Sequence, residues 1–285
     1  MAYILLILQQ IIASSTHIVA KIVVGNVDPA LLVVLRATVA SSAALIWIFV
    51  RKKNRVLHRQ DYARLFLLGL ISVPGNQFGY LYGLHHTTPA NAALLYAMTP
   101  AFVVLAQKFI LREQVSSRRM VAVAVAFIGA VIILFESDVN FGQSYFFGNA
   151  IIFLAVIAWT AYTLLGKSFA TEYGVIESTG LSMAAGTILA LPLLLVFPQA
   201  IADSTLTIGT WSAILYLGVV TSLIGYSLWY YALKRIPASR VAVFTNIQPV
   251  LTTVVSVAFM GVTLTPSFVI GGVIVLAGVL LAQLW

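Results

Sequence analysis

Polar residues in this chain act as punctuation between long apolar runs. Ten runs can be marked, at about 3–23, 30–50, 64–86, 89–111, 119–136, 147–167, 176–196, 210–233, 237–260 and 266–285. Each has roughly the 20 residues needed to cross a hydrocarbon core about 30 Å thick. The runs are continuously apolar and lack the period-two alternation of lumen-facing strands, which predicts helices rather than a barrel. The connections are short, and none reads as a flexible linker or a soluble insert.

Composition points the same way. Hydrophobic residues make up 61% of the 285 positions, charged residues only 8%, and mean hydropathy is +1.02. A soluble domain carries about a quarter charged residues. The expected class is an all-α, multi-pass protein of a plasma membrane or a bacterial inner membrane. The first run lacks a basic leader and a clear small-residue cleavage site, so it is read as a helix and not as a signal peptide.

The placement of charge orders the spans. Arg51, Lys52, Lys53, Arg55, Arg59 and Arg64 follow span 2; Lys108, Arg112, Arg118 and Arg119 flank the loop after span 4. Lys167 follows span 6, and Lys234, Arg235 and Arg240 surround the junction of spans 8 and 9. The loops after spans 3, 5, 7 and 9 hold no Lys or Arg. Basic loops face the cytoplasm, so this alternation predicts ten spans with both termini cytoplasmic. It also disposes of nucleic acid as a partner, because the net charge of +8 forms no patch with interleaved aromatics.

One phrase occurs twice. YGLHHTTPANAALLYAMTP runs from Tyr82 to Pro100, and YALKRIPASRVAVFTNIQP from Tyr231 to Pro249. A shift of 149 residues aligns their ends and also Gly129 with Gly278. Five spans separate the copies, an odd number, so the second crosses the membrane in the opposite sense. His85-His86 then falls at an outer loop and Lys234-Arg235 at an inner one, where cationic charge is favoured. The reading is two inverted five-helix repeats, residues 1–141 and 142–285, which is the architecture of secondary transporters with a substrate site at the repeat interface. Both halves lie in one polypeptide, which points to a functional monomer.

Polar groups inside the spans are the candidate chemistry. Gln10, Ser14, His17 and Lys21 recur at helical spacing on one face of span 1, and such a stripe must meet protein or water rather than lipid. The corresponding positions of span 6 are Val156, Thr160, Thr163 and Lys167. In span 3, Asn76, Gln77, Tyr80 and Tyr82 surround a small-residue stripe, Gly75, Gly79 and Gly83, suited to close helix packing or to a sliding contact. Tyr226, Trp229 and Tyr230 recur in span 8, Trp159 lies well inside span 6, and the matched prolines follow polar residues: Tyr96 and Thr99 precede Pro100, while Thr245, Asn246 and Gln248 precede Pro249. Aromatic residues at span ends serve as interfacial belts; those a turn deeper suit a cavity wall for an aromatic or amphipathic solute. The prolines are kinks whose freed carbonyls need a side chain or a substrate group.

Ionisable groups are few. Arg36 either snorkels outward or binds a carboxylate in the cavity. Lys21 is read as snorkelling from the outer end of span 1, and Glu113 as pairing with Arg112 or Arg118 at the inner end of span 4. His17 is either a neutral hydrogen-bonded residue or a gate and proton carrier. No Asp or Glu falls near the middle of any span, which argues for facilitated export or exchange over a strongly ion-coupled pump. Enzymatic function is not expected: HExxH, paired intramembrane aspartates and GxSxG are all missing. The phosphate loop GxxxxGK[ST] is missing too, and zero cysteines exclude thiol chemistry, so no cofactor or metal is anticipated.

These residues resemble the drug/metabolite transporter superfamily, specifically its ten-helix EamA-type members. The likeness is carried by Pro29 followed by Arg36, by the repeated phrase, by LREQV with Glu113 and VAFIGAVIIL, and by GGVIVLAGVLLA. The span 1 stretch IIASSTHIVAK lacks the Trp-Gly pair often found in such chains, and Val262 stands where a second acidic residue would match Glu113. The resemblance implies export or exchange of small metabolites, often amino acids or amphipathic compounds, by alternating access between two lipid-embedded halves.

Overall fold

The computed structural model describes residues 2–51, 57–110, 112, 114–135 and 145–284, and among these every regular element is helical. The first helix, α1 (Ala2–Val24), turns through a short loop into α2 (Pro29–Val50). Asp28 starts α2 by accepting from the Ala30 N–H at 2.7 Å, with Pro29 in the first turn where its missing donor costs nothing. The next rod is α3 (Asp61–Leu70), a π-helical stretch Ile71–Phe78, and α4 (Gly79–His85). Pro74 sits inside the π stretch, whose altered hydrogen-bond register absorbs the missing N–H instead of a sharp kink.

Thr88 then caps α5 (Pro89–Tyr96), accepting from Asn91 N–H at 3.1 Å, so the TTP of the repeated phrase is a helix start. The second copy of the phrase opens α13 (Ala238–Val243) on Pro237, with no side-chain cap. The rod breaks at Ala97-Met98 before α6 (Thr99–Phe109), because Pro100 cannot donate to the Tyr96 carbonyl. Thr99 Oγ1 donates to that carbonyl at 2.6 Å and repairs the break. The remaining elements are α7 (Ser117–Leu134), α8 (Phe146–Tyr173), α9 (Val175–Ala190), α10 (Leu193–Val196) and α11 (Ile208–Leu215). A second π stretch, Tyr216–Gly225, leads into α12 (Tyr226–Leu233); α13 passes through a 3₁₀ turn, Phe244–Asn246, into α14 (Ile247–Met260), and α15 (Pro266–Leu284) ends the chain.

Seven stretches among the described residues are long and apolar enough to cross a membrane: Ala2–Val24, Pro29–Val50, Pro89–Phe109, Phe146–Tyr173, Val175–Val196, Ile208–Leu233 and Ala238–Met260. Of the other three expected spans, the α3–α4 rod is diluted by Gly, Pro, Asn, Gln and Tyr, α7 (18 residues) opens on Arg118 and Arg119, and α15 is a helix of 19 residues that contains the apolar stretch Pro266–Ala282. Large apolar side chains cover the outside, Phe49 at 81% and Ile208 at 89% exposure among them, a surface that water would reject and lipid accepts.

Packing pairs α7 with α15, α2 with α9, α4 with α8, and α1 with both α12 and α14. The Gly75–Gly79–Gly83 stripe faces α8. A Cβ added at Gly83 would meet Ile152 Cγ1 at 2.7 Å and the Gly148 carbonyl at 2.8 Å, whereas at Gly79 and Gly75 the alanines of α8 stand at 3.4–3.5 Å. The seam is tightest at its Gly83 end and loosens toward the π stretch.

Where α3 begins, Asp61 is buried. Tyr173 at the end of α8 donates to its Oδ2 at 2.5 Å, and Arg64 bonds Oδ1 at 3.0 Å while reaching Ser168 with its other nitrogen. The Tyr173 hydroxyl, with Arg64 adding to it, holds the carboxyl below the usual aspartate range. α8 continues past the expected end at 167 as far as Tyr173 and stops at Gly174, whose φ of 107° is open to glycine.

Candidate functional site

Between α1, α2, the first π stretch, α4, α5, α8, α12 and α14 lies a cavity of about 60 Å³. Ring contacts form two walls. On one side His17, Tyr80 and Tyr96 meet edge to face, with centroids 5.4, 5.6 and 5.7 Å apart. On the other, Trp159 lies 4.9 Å from Tyr226 and 5.5 Å from Trp229. Asn76 ties the walls together: its Nδ2 donates to Tyr96 Oη at 2.6 Å and to the Ala155 carbonyl at 2.9 Å, and its Oδ1 accepts from Tyr226 at 3.1 Å.

A one-directional hydrogen-bond chain runs along the α1 side. Gln248 Nε2 donates to Gln10 Oε1 at 2.7 Å, and Gln10 Nε2 donates to Gln9 Oε1 at 2.5 Å. Gln248 Oε1 is thereby left to accept from His17 Nε2–H at 3.1 Å, and His17 Nδ1 accepts from the Tyr80 hydroxyl at 3.0 Å. Both ring nitrogens are engaged in the neutral tautomer, and no carboxylate among the described residues lines the cavity.

Arg36 of α2 is held against the second π stretch. Its Nε donates to Ser222 Oγ at 2.7 Å and its Nη2 to Thr221 Oγ1 at 3.2 Å. Both hydroxyls in turn donate to the Leu217 carbonyl, Thr221 across four residues and Ser222 across five. The two successive hydroxyls thus share one carbonyl and one guanidinium, Ser222 through the five-residue spacing of the π register.

A family model described as the EamA-like transporter family matches residues 1–135 and 146–284. The chain belongs to the EamA-like transporter family. It is a multi-pass protein of a plasma or inner membrane. Among similar proteins, the uncharacterized transporter YyaM of Bacillus subtilis is 28% identical over 99% of this chain and 93% of its own length. An uncharacterized transporter of Archaeoglobus fulgidus is 28% identical over 98% of this chain and 96% of its own. The probable terminal-alkyne amino-acid exporter of Streptantibioticus cattleyicolor is 28% identical over 86% of this chain and 81% of its own. A solved crystal structure shares the fold with a TM-score of 0.69 at 20% identity, covering 99% of this chain and 96% of the other.

In this EamA-like chain the cavity gathers His17, Arg36, Asn76, Gln77, Tyr80, Tyr96, Trp159, Tyr226 and Trp229 from the residues marked in the sequence. Thr163 stands just behind the wall, accepting the Trp229 indole N–H at 3.1 Å. Four others lie off it. Ser14 is buried and bonds the Gln10 carbonyl; Tyr82 packs among Phe78, His86, Phe147 and Phe197. Tyr230 donates to the Tyr162 carbonyl at 2.7 Å against Gly166, and the Asn246 amide is buried without a hydrogen-bond partner. Lys21 does not simply reach for solvent: Nζ donates to the carbonyls of Leu84, His85 and Thr87, closing the C-terminal end of α4 where a cation is favoured. Glu113 and its expected ion pair lie outside the described residues. The cavity also uses Gln9 and Thr16, unmarked in the sequence, and Thr245 and Gln248, read there only as residues ahead of a proline. The stripe spacing on α1 extends to Gln9 and Thr16, which lie beside Gln10 and His17.

Proposed function

We propose that this chain is a secondary transporter that exports or exchanges small amphipathic metabolites, amino acids including aromatic ones among them, by alternating access. In this reading ten spans form two inverted five-helix repeats, both termini are cytoplasmic, and one polypeptide is the working unit. The observation that carries it is the buried cavity whose walls come one from each half: rings backed by amides and hydroxyls, with a single cation. Matched features favour the repeat. Each third span carries a π stretch, each fourth span is interrupted ahead of its proline, and α2–α9 and α7–α15 are like-with-like pairs under the repeat. The Streptantibioticus relative, a probable terminal-alkyne amino-acid exporter, supports amino acids as a substrate class.

Proteoliposomes test it. Vesicles preloaded with unlabelled L-phenylalanine are expected to take up external labelled L-phenylalanine transiently above equilibrium, with saturable initial rates. An imposed proton gradient without internal substrate is expected to drive no accumulation, because the cavity holds His17 with both nitrogens occupied and no carboxylate. Linear, unsaturable flux would refute the carrier mechanism.

A further inference from the structure

A buried guanidinium without a counter-charge is costly. Taking an ion out of water costs several kcal/mol after relaxation, and proteins recover this through an opposite charge and full hydrogen bonding. Arg36 is only 2% exposed and forms no ion pair among the described residues. Its two protein partners are neutral hydroxyls, those of Ser222 and Thr221, and its remaining nitrogen, Nη1, is buried with no partner at all. Arg36 also lines the cavity, where every other polar lining group is an amide, a hydroxyl, an indole or a neutral histidine. A second lining group is left over in the complementary sense: Gln77 donates through Nε2 to Met183 sulfur, while its Oε1 is buried and unpartnered.

From this we infer that Arg36 is the receptor for a carboxylate on the transported molecule, which supplies the missing counter-charge through Nη1. The inference rests on the cavity being the substrate site and narrows that reading to carboxylic acids with an apolar or aromatic body. The Ser222–Thr221 pair holds the guanidinium before substrate arrives, so little rotamer freedom is lost on binding. The rings of Trp159, Tyr226 and Trp229 take the body. An α-ammonium group finds an acceptor in Gln77 Oε1 but no anion, so it is accommodated and not required. Charge balance also shapes the cycle. The occupied carrier encloses a neutralised pair and the empty carrier a lone cation, so the loaded form crosses between its open states more readily, and exchange outruns one-way release.

The test uses the purified full chain in detergent, with affinity read from thermal stabilisation across a concentration series. The probes are L-phenylalanine, 3-phenylpropionate, L-phenylalaninamide and 2-phenylethylamine. The two carboxylates are expected to bind, and the amide and the amine to bind roughly ten- to hundredfold more weakly, the worth of a charge-assisted hydrogen bond. Arg36→Gln should erase that preference, and Arg36→Lys, which keeps charge but loses the fork, should retain part of it. Should Arg36→Gln fail to fold, the probe series on the unaltered chain decides alone. Equal binding of amide or amine, no binding of either carboxylate, or a carboxylate preference surviving in folded Arg36→Gln would each overturn the assignment. Carboxylate binding without counterflow would leave Arg36 its role and remove the transport reading; counterflow of the amine with no carboxylate preference would do the reverse.

Discussion

Gly83→Val is expected to prevent recovery of folded protein, and Gly83→Ala to lower thermal stability measurably. The α4 and α8 backbones meet here almost without side chains. The Cβ of any substitute would sit 2.7 Å from Ile152 Cγ1 and 2.8 Å from the Gly148 carbonyl, and a Cβ at Gly148 would in turn meet the Gly83 carbonyl at 2.7 Å. The Ile152 side chain is one obstruction, but the Gly148 carbonyl and, at 3.1 Å, the Ile152 nitrogen are main chain and cannot turn aside. Inside a bilayer the apolar effect does not hold helices together; van der Waals contact and polar contacts do. Separating the pair therefore forfeits the interaction that fixes α8, and with it Trp159. The cost of overpacking by one methyl is about 1–3 kcal/mol, and two branched methyls against backbone lie at or beyond its upper end. Gly79→Ala is the control: its neighbour, Ala155 Cβ, is at ordinary contact distance, 3.4 Å, and little change is expected. The yield of folded Gly83→Val and melting curves of the two alanine variants in one detergent check the series, and equal behaviour of Gly79→Ala and Gly83→Ala would contradict the graded seam.

Trp159→Ala is expected to weaken binding of L-phenylalanine roughly ten- to hundredfold while the protein still folds. Trp159 lines the cavity with Tyr226 and Trp229 in a ring cluster backed by Tyr162, and it joins α8 to α12. An aromatic ligand loses the apolar area of an indole, and the edge-to-face contact worth about 0.5–1.5 kcal/mol beyond that area. Trp159→Phe should fall between. Tyr82→Ala removes an equally aromatic side chain from span 3, but one committed to the Phe78–Phe197–Phe147 cluster, and affinity should be unchanged. A larger loss from Tyr82→Ala than from Trp159→Ala would mean that substrate binds elsewhere.

Much of this arrangement was legible in the residues because the bilayer makes polarity expensive. Gln10, Ser14 and His17 recur on one face, and all three are buried between helices. The matched prolines announced the breaks in α5–α6 and near α14, and Thr99 beside Pro100 was a candidate for the carbonyl it does satisfy. Helix azimuth was harder. Trp229 and Tyr230 are neighbours in sequence and point about 100° apart; one reaches the cavity and the other the Tyr162 carbonyl. Nothing in their chemistry chooses between them, since both are amphipathic rings at one depth. The π stretches were also invisible, because a shifted hydrogen-bond register leaves no period in a uniformly apolar run. The second of them carries Thr221 and Ser222, the hydroxyls that hold Arg36 inward. Gln248 was seen as an amide ahead of a proline, and only three-dimensional contact with His17 and Gln10 made it part of the site.

The central claim is that the cavity between the walls is reached from each face of the membrane in turn. The chain has no cysteine, so a single Ala13→Cys places one thiol on the cavity wall without background. Its labelling by a membrane-impermeant maleimide in oriented vesicles is the most direct measurement. The account predicts modification from either side when the reagent is supplied there alone, with L-phenylalanine slowing both reactions. Modification from one side only, whatever substrate is present, would contradict it.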